Sequence, residues 1–166
     1  MKDQILKEIT ARMIAYEEGC PKRIQHFLKV HAFAKQIALM EEVDEHTLFI
    51  LETAALVHDI GIKTADEKYG SHAGPYQEAE GAPLAKELLE SVGGYTEEEI
   101  ARIEYLVGHH HTYTSVSGID YRILIEADFL VNLYESEARY KAILAANERI
   151  FETESGKWIL HTQFGI

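Results

Sequence analysis

The dipeptide His58-Asp59 closes the apolar run Leu51-Glu52-Thr53-Ala54-Ala55-Leu56-Val57. A neutral imidazole and a carboxylate side by side are good ligands for a divalent metal. Set directly after a buried stretch, the carboxylate carries a desolvation cost unless its charge is compensated. His26, His110 and Asp128 also sit within apolar runs, far away along the chain. A carboxylate inside Ile123-Leu124-Ile125-Glu126-Ala127-Asp128-Phe129-Leu130-Val131 is seldom buried unless paired or bound to a metal. Together these residues suggest a metal site assembled from several helices. Each has a plainer explanation taken singly. Asp128 can pair with Arg23 or Arg122, and His31 or His46 can be packed or solvent-tipped histidines.

The elements that must position these residues are helical. Leu, Ala, Glu, Ile and Lys dominate, and only Pro21, Pro75 and Pro83 interrupt, a composition that favours helix. Apolar spacing predicts helices over about 3–18, 22–40, 45–58, 77–91, 97–110, 119–133 and 135–150. Gly19 is a stop, Pro21 suits a first helical turn, and Thr96 with Glu99 forms a capping box. Residues 61–76, rich in glycine and polar groups, are expected to be a long loop. Residues 112–118 form a second, and the tail from Phe151 is mixed, split by Gly156. No period-2 strand pattern appears. The expected fold class is all-α, a single-domain bundle of six or seven helices over residues 1–166.

Composition narrows the function. The chain has 166 residues, 46% of them hydrophobic, which is enough for one core, and a formal net charge of −12. So acidic a surface repels a phosphate backbone, which argues against a nucleic acid polymer as partner. A small phosphorylated molecule remains compatible, because a bound metal and local cations reverse the field within one cleft. The single cysteine, Cys20, allows no internal disulfide. No signal-peptide pattern begins the chain, and no apolar run approaches the roughly 20 residues of a membrane span. The expectation is a soluble cytoplasmic protein without a membrane partner.

The joint pattern resembles the HD superfamily of metal-dependent phosphohydrolases. His26-Phe27-Leu28-Lys29-Val30 with Ala34, Ile37 and Ala38 looks like the family's first histidine helix. Leu56-Val57-His58-Asp59-Ile60-Gly61 matches its signature. Glu78-Ala79-Glu80-Gly81-Ala82 with Ala85, Leu88 and Leu89 resembles the following helix, and Glu126-Ala127-Asp128-Phe129-Leu130 the closing aspartate segment. The match covers about residues 20–135. It implies that His26, His58, Asp59 and Asp128 converge on one divalent ion. A nitrogen and oxygen set of this kind suits Mn, Co, Ni, Fe, Zn or Mg. Two-metal members carry an extra histidine early in the helix after the signature. Here that stretch is Pro75-Tyr76-Gln77-Glu78-Ala79-Glu80, so a mononuclear site is expected, and His72, in the preceding loop, is expected at the surface.

The resemblance implies hydrolysis of a phosphomonoester or phosphodiester by metal-activated water, on a small phosphorylated metabolite with a nucleotide as the leading class. Asp59 is the candidate base or orienter of that water, and Glu78 a further candidate ligand or base. His110, the best fit among His109-His110-His111, is a candidate to stabilise or protonate the leaving group. Arg23, Lys29 and Lys63, with Lys22, are candidates to neutralise a substrate phosphate. Tyr69, Tyr76, Tyr113 and Tyr121 are either stacking partners for a base or plain packing. Two other functions stay open: a metal- or nucleotide-binding sensor without turnover, and a di-iron oxygenase of the same fold, which needs more histidine ligands than the motifs of this sequence place.

Overall fold

Nine helices run in the order α1 (Lys2–Tyr16), α2 (Pro21–Met40), α3 (Glu45–Val57), α4 (Ile62–Tyr69), α5 (Gly74–Val92), α6 (Glu97–Val107), α7 (Ile119–Glu135), α8 (Tyr140–Arg149) and α9 (Glu154–Phe164). This computed structural model describes residues 1–166, and it contains no strand. None of the helices is long and apolar enough to cross a membrane.

The helix boundaries follow local chemistry. Pro21 opens α2, where its missing N–H leaves nothing unsatisfied. The Asp44 side chain accepts the Thr47 N–H at the start of α3. At the start of α6 the expected capping box is formed in both directions, Thr96 to Glu99 and back.

Two helices form the axis of the bundle. In α3 every residue from Phe49 to Val57 is buried, and in α7 every residue from Ile123 to Asp128. A helix apolar on all sides must be covered on all sides. Accordingly α2 packs on both α3 and α7, α1 lays Ile5, Ile9 and Met13 against α3, and the α5–α6 pair closes the remaining side. The polar residues caught within these two helices therefore cannot reach bulk water. They must be satisfied inside.

The structure departs from the expected elements at three places. Residues 61–76 are not one long loop, because α4 occupies Ile62–Tyr69. Ile62 and Ala65, three residues apart, bury the inner side of this short helix, and Gly70 ends it in the left-handed region with φ of 61°. The predicted 119–133 helix continues to Glu135, and the chain turns through Glu137, at φ of 51°, before α8 begins at Tyr140. The tail folds as α9, with Gly156 inside its first turn rather than at a break. A Cβ on Gly156 would lie 1.9 Å from Glu126 Oε1, so this glycine serves close approach, not flexibility.

One contact matters directly for the site. A Cβ on Gly61 would sit 2.4 Å from the Gln77 carbonyl and 2.6 Å from the Gly81 nitrogen. The segment just after His58-Asp59 is thus pressed against the backbone of α5. This contact fixes where α5 presents Gln77.

Candidate metal centre

His58 and Asp59 follow the last residue of α3, where the final carbonyls of the helix have no intrahelical partner. The His58 ring turns back and donates its Nδ1–H to the Ala55 carbonyl at 2.7 Å. A carbonyl can only accept, so Nδ1 carries a proton and Nε2 faces inward, the nitrogen a metal would take in place of its proton. His110 repeats the device after α6, donating Nδ1–H to the Val107 carbonyl at 2.7 Å. His26 differs, since it lies within α2 where the nearby carbonyls are already used. Its Nδ1–H goes instead to Glu135 Oε1 at 2.5 Å.

These constraints aim the ring nitrogens at one point. His26 Nε2 lies 3.1 Å from Asp59 Oδ2 and 3.1 Å from Asp128 Oδ1, and 3.2 Å from His58 Nε2. His58 Nε2 is 3.3 Å from Asp59 Oδ2 and 3.4 Å from Asp128 Oδ1. Donors bound to a common ion at about 2.0–2.2 Å are separated by about 2.8–3.6 Å at octahedral or tetrahedral angles. His26, His58 and Asp59 therefore form one group of donors close enough to share an ion, and Asp128 Oδ1 stands at the same separations from both rings. Asp128 is not paired with either arginine: Arg23 pairs with Glu17, and Arg122 with Glu152.

Electrostatically the cluster is built for positive charge. Burial works against a charged His26, yet the Asp128 and Asp59 carboxylates outweigh it and push its pKa up to about 10. Burial likewise opposes charge on His58, and Asp59 and Asp128 raise its pKa well above the usual imidazole range. Asp128 is buried and Asp59 half-buried, and desolvation alone would raise both, but the histidines hold Asp59 and Asp128 well below the carboxylate range. No lysine or arginine takes part. A divalent cation supplies the charge that ring protons otherwise provide.

A second observation supports this fit. His110 is fully buried, and its Nε2 has no hydrogen-bond partner. It faces Asp59 Oδ1 at 3.4 Å. Asp59, His110 and His111 form a second group of donors close enough to share an ion. His111 Nε2 also meets Gln77 Oε1 at 2.9 Å, and burial pushes its pKa down to about 4, so the ring is neutral.

The cluster forms the floor of a cavity of about 430 Å³, whose walls include Lys22, Arg23, Gln77, Phe129, Asn132 and Ser136. Arg23 lines this cavity, with its guanidinium held by Glu17. Other candidates lie elsewhere. Lys29 is bound to Glu135 and rests over the Tyr134 ring. Lys63 rests over the Tyr16 ring, outside the cavity. Glu78 turns toward the chain after α6, where it accepts the His111 N–H and the Thr112 hydroxyl. His72 is exposed at the cavity rim, paired with Asp66. Tyr69 and Tyr76 stack on each other, Tyr113 packs against Phe129, and Tyr121 is a core residue. None of these four tyrosines lines the cavity.

Glu135 and Gln77 escaped the sequence reading. Glu135 carries a usable signal, since it lies seven residues after Asp128, two turns along the same side of α7. Gln77 carries only its place in the segment where a histidine was sought.

The model of the HD domain family matches residues 23–149. The chain belongs to the HD domain family. Its fold is similar to the crystal structure of a predicted HD superfamily hydrolase from an uncultured Thermotogales bacterium. The two are 23% identical with a TM-score of 0.70, and the match covers 96% of this chain and 84% of that one. No curated protein matches the chain. As an HD domain, the chain carries its histidines and aspartates on α2, on α7 and at the ends of α3 and α6.

Proposed function

We propose that this HD domain is a metal-dependent phosphohydrolase that cleaves a phosphate ester of a small metabolite, with a nucleotide as the leading substrate class. The convergence of His26, His58, Asp59 and Asp128 at the floor of a cavity carries this reading. These four residues would hold one divalent ion among Mn, Co, Ni, Fe, Zn and Mg. When bound, such an ion lowers the pKa of a coordinated water from about 15.7 toward about 7 and polarises a phosphoryl oxygen.

The chain's own residues supply the rest. Asp59 is one of the ion-binding donors and also lines the cavity, so its carboxylate accepts the proton of the attacking water. The water oxygen bonds to phosphorus, the ester P–O bond breaks, and that proton passes to the leaving oxygen. His110 is buried behind Asp59 rather than open to the cavity. Its Nε2 does not meet the leaving group; with Asp59 and His111 it would be a donor to a second ion. Arg23 and Lys22, on the wall, face the charge of the substrate phosphate. The cavity volume suits a mononucleotide-sized ligand.

The test is phosphate release across a panel of nucleotides and other phosphorylated metabolites with Mn²⁺, Co²⁺, Ni²⁺ or Mg²⁺, run beside Asp59→Asn. Turnover by the wild type and its loss in the variant support the reading, and equal activity in both overturns it. Tight nucleotide binding without release points to a sensor. An iron pair in the visible spectrum points to the oxygenase. A two-ion version of the same hydrolase is favoured by one observation, the Asp59–His110–His111 group beside the first. Metal stoichiometry separates it from the one-ion version.

A further inference from the structure

Three buried histidines point their Nε2 atoms toward Asp59, and each has its Nδ1–H anchored. His58 and His110 are anchored by carbonyls at the ends of α3 and α6. His26 has no such carbonyl because α2 continues for fourteen residues beyond it, to Met40. Its anchor is the Glu135 carboxylate, which reaches across from the last residue of α7.

We infer that Glu135 is a positioning residue for the metal site, fixing the tautomer and orientation of His26 through the Nδ1–H···Oε1 bond. The inference rests on the proposed reading of His26 as a metal ligand. Without an acceptor at this place, the ring is free to carry its proton on Nε2 or to rotate about its Cβ–Cγ bond. Either change removes the inward lone pair. The carboxylate also adds negative charge behind the ring, which makes Nε2 a better electron donor. Lys29 lies 3.2 Å from the other oxygen, Oε2, and holds the Glu135 side chain in the orientation that faces His26. Asp128 and Glu135 sit seven residues apart on α7, so one helix supplies both a metal ligand and the support of another.

The experiment is calorimetric titration of the metal-free protein with Mn²⁺, for the wild type, Glu135→Ala and Glu135→Gln. It is combined with ¹⁵N–¹H spectra of the histidine rings in the Mg²⁺- or Zn²⁺-loaded forms. The expected result is a loss of Mn²⁺ affinity of about 10–100-fold in Glu135→Ala, the usual effect of removing an outer-sphere partner. Glu135→Gln keeps an acceptor without the charge and falls between. In the wild type the His26 signals report protonation at Nδ1, and in Glu135→Ala they report a mixture. If Glu135→Ala does not fold, Glu135→Gln, of nearly the same volume, carries the test. Wild-type affinity and an unaltered His26 spectrum in the folded variants overturn the inference while leaving the metal reading intact. Failure of the wild type itself to bind any of these ions overturns both.

Discussion

Of the carboxylates that helix α7 buries, Glu126 and Asp128 lie two residues apart and on opposite sides of the helix. Their surroundings differ in kind. Glu126 takes the Glu152 N–H at 2.9 Å, the Thr153 N–H at 3.1 Å and the Thr153 hydroxyl at 2.6 Å. Every donor is fixed, and together they bind the chain before α9 to the bundle. Burial is the larger influence, so the Glu126 pKa is raised despite these bonds. Asp128 faces only His26 and His58, whose protons are exchangeable, and these hold its pKa down. The lesson is that burial of a charge does not mark a functional site. What marks it is a partner set that can give up its protons to a cation.

This contrast can be broken or sharpened by experiment. The largest effect is expected from Asp59→Asn, which shares the metal cluster with Asp128. Loss of a base in proton transfer lowers kcat by about 10²–10⁴-fold, read as phosphate release with the best substrate of the panel. Asp128→Asn should likewise abolish retention of Mn²⁺ through gel filtration while leaving the helical circular dichroism spectrum intact. On the other side of α7 the effect moves from activity to stability. Glu126→Ala leaves three donors without an acceptor and is expected to cost about 3 kcal/mol, a fall in Tm of about 6–12 °C, with Mn²⁺ affinity within threefold of wild type. If Glu126→Ala loses the metal instead, the two carboxylates are not independent.

Gly156→Ala tests the same tether more gently. Its new methyl meets Glu126 Oε1 and is expected to cost about 1–3 kcal/mol by overpacking, seen as a shifted urea midpoint. The shallowest effect is a pH dependence. His26 has its pKa raised to about 10 in the folded metal-free protein, against about 6.5 when unfolded. Its contribution to stability is complete below pH about 6.5 and is lost as pH rises toward about 10. Urea unfolding after chelation should therefore show stability declining over that range. A Mn²⁺-loaded sample should resist the decline, because binding there requires the ring to be neutral.

Much of this was legible in the sequence. The long amphipathic and apolar runs marked seven of the nine helices, and Thr96 with Glu99 marked the start of α6. His26, His58, Asp59 and Asp128 stood out because buried ionisable groups are costly. Where the reading stopped, local chemistry and tertiary contact disagreed. Helix α4 was hidden because the glycines flanking it and its own polar residues outweighed two buried positions, Ile62 and Ala65. Gly156 looked like a break because the carboxylate it makes room for comes from another helix. Glu135 looked like an ordinary charged residue at a helix end, since nothing in its neighbourhood along the chain points to His26. Lys63 and Glu78 had suitable types and suitable positions along the chain, but direction is set by packing, and theirs lead to Tyr16 and to Thr112.

The anchoring of the three histidines has an evolutionary consequence. A main-chain oxygen is the same whatever residue carries it, so the grip on His58 and His110 survives substitution at Ala55 and Val107. The grip on His26 depends on one side chain, and a single codon change can loosen it. Among descendants of this protein, drift or selection acting on ion preference has its readiest handle there.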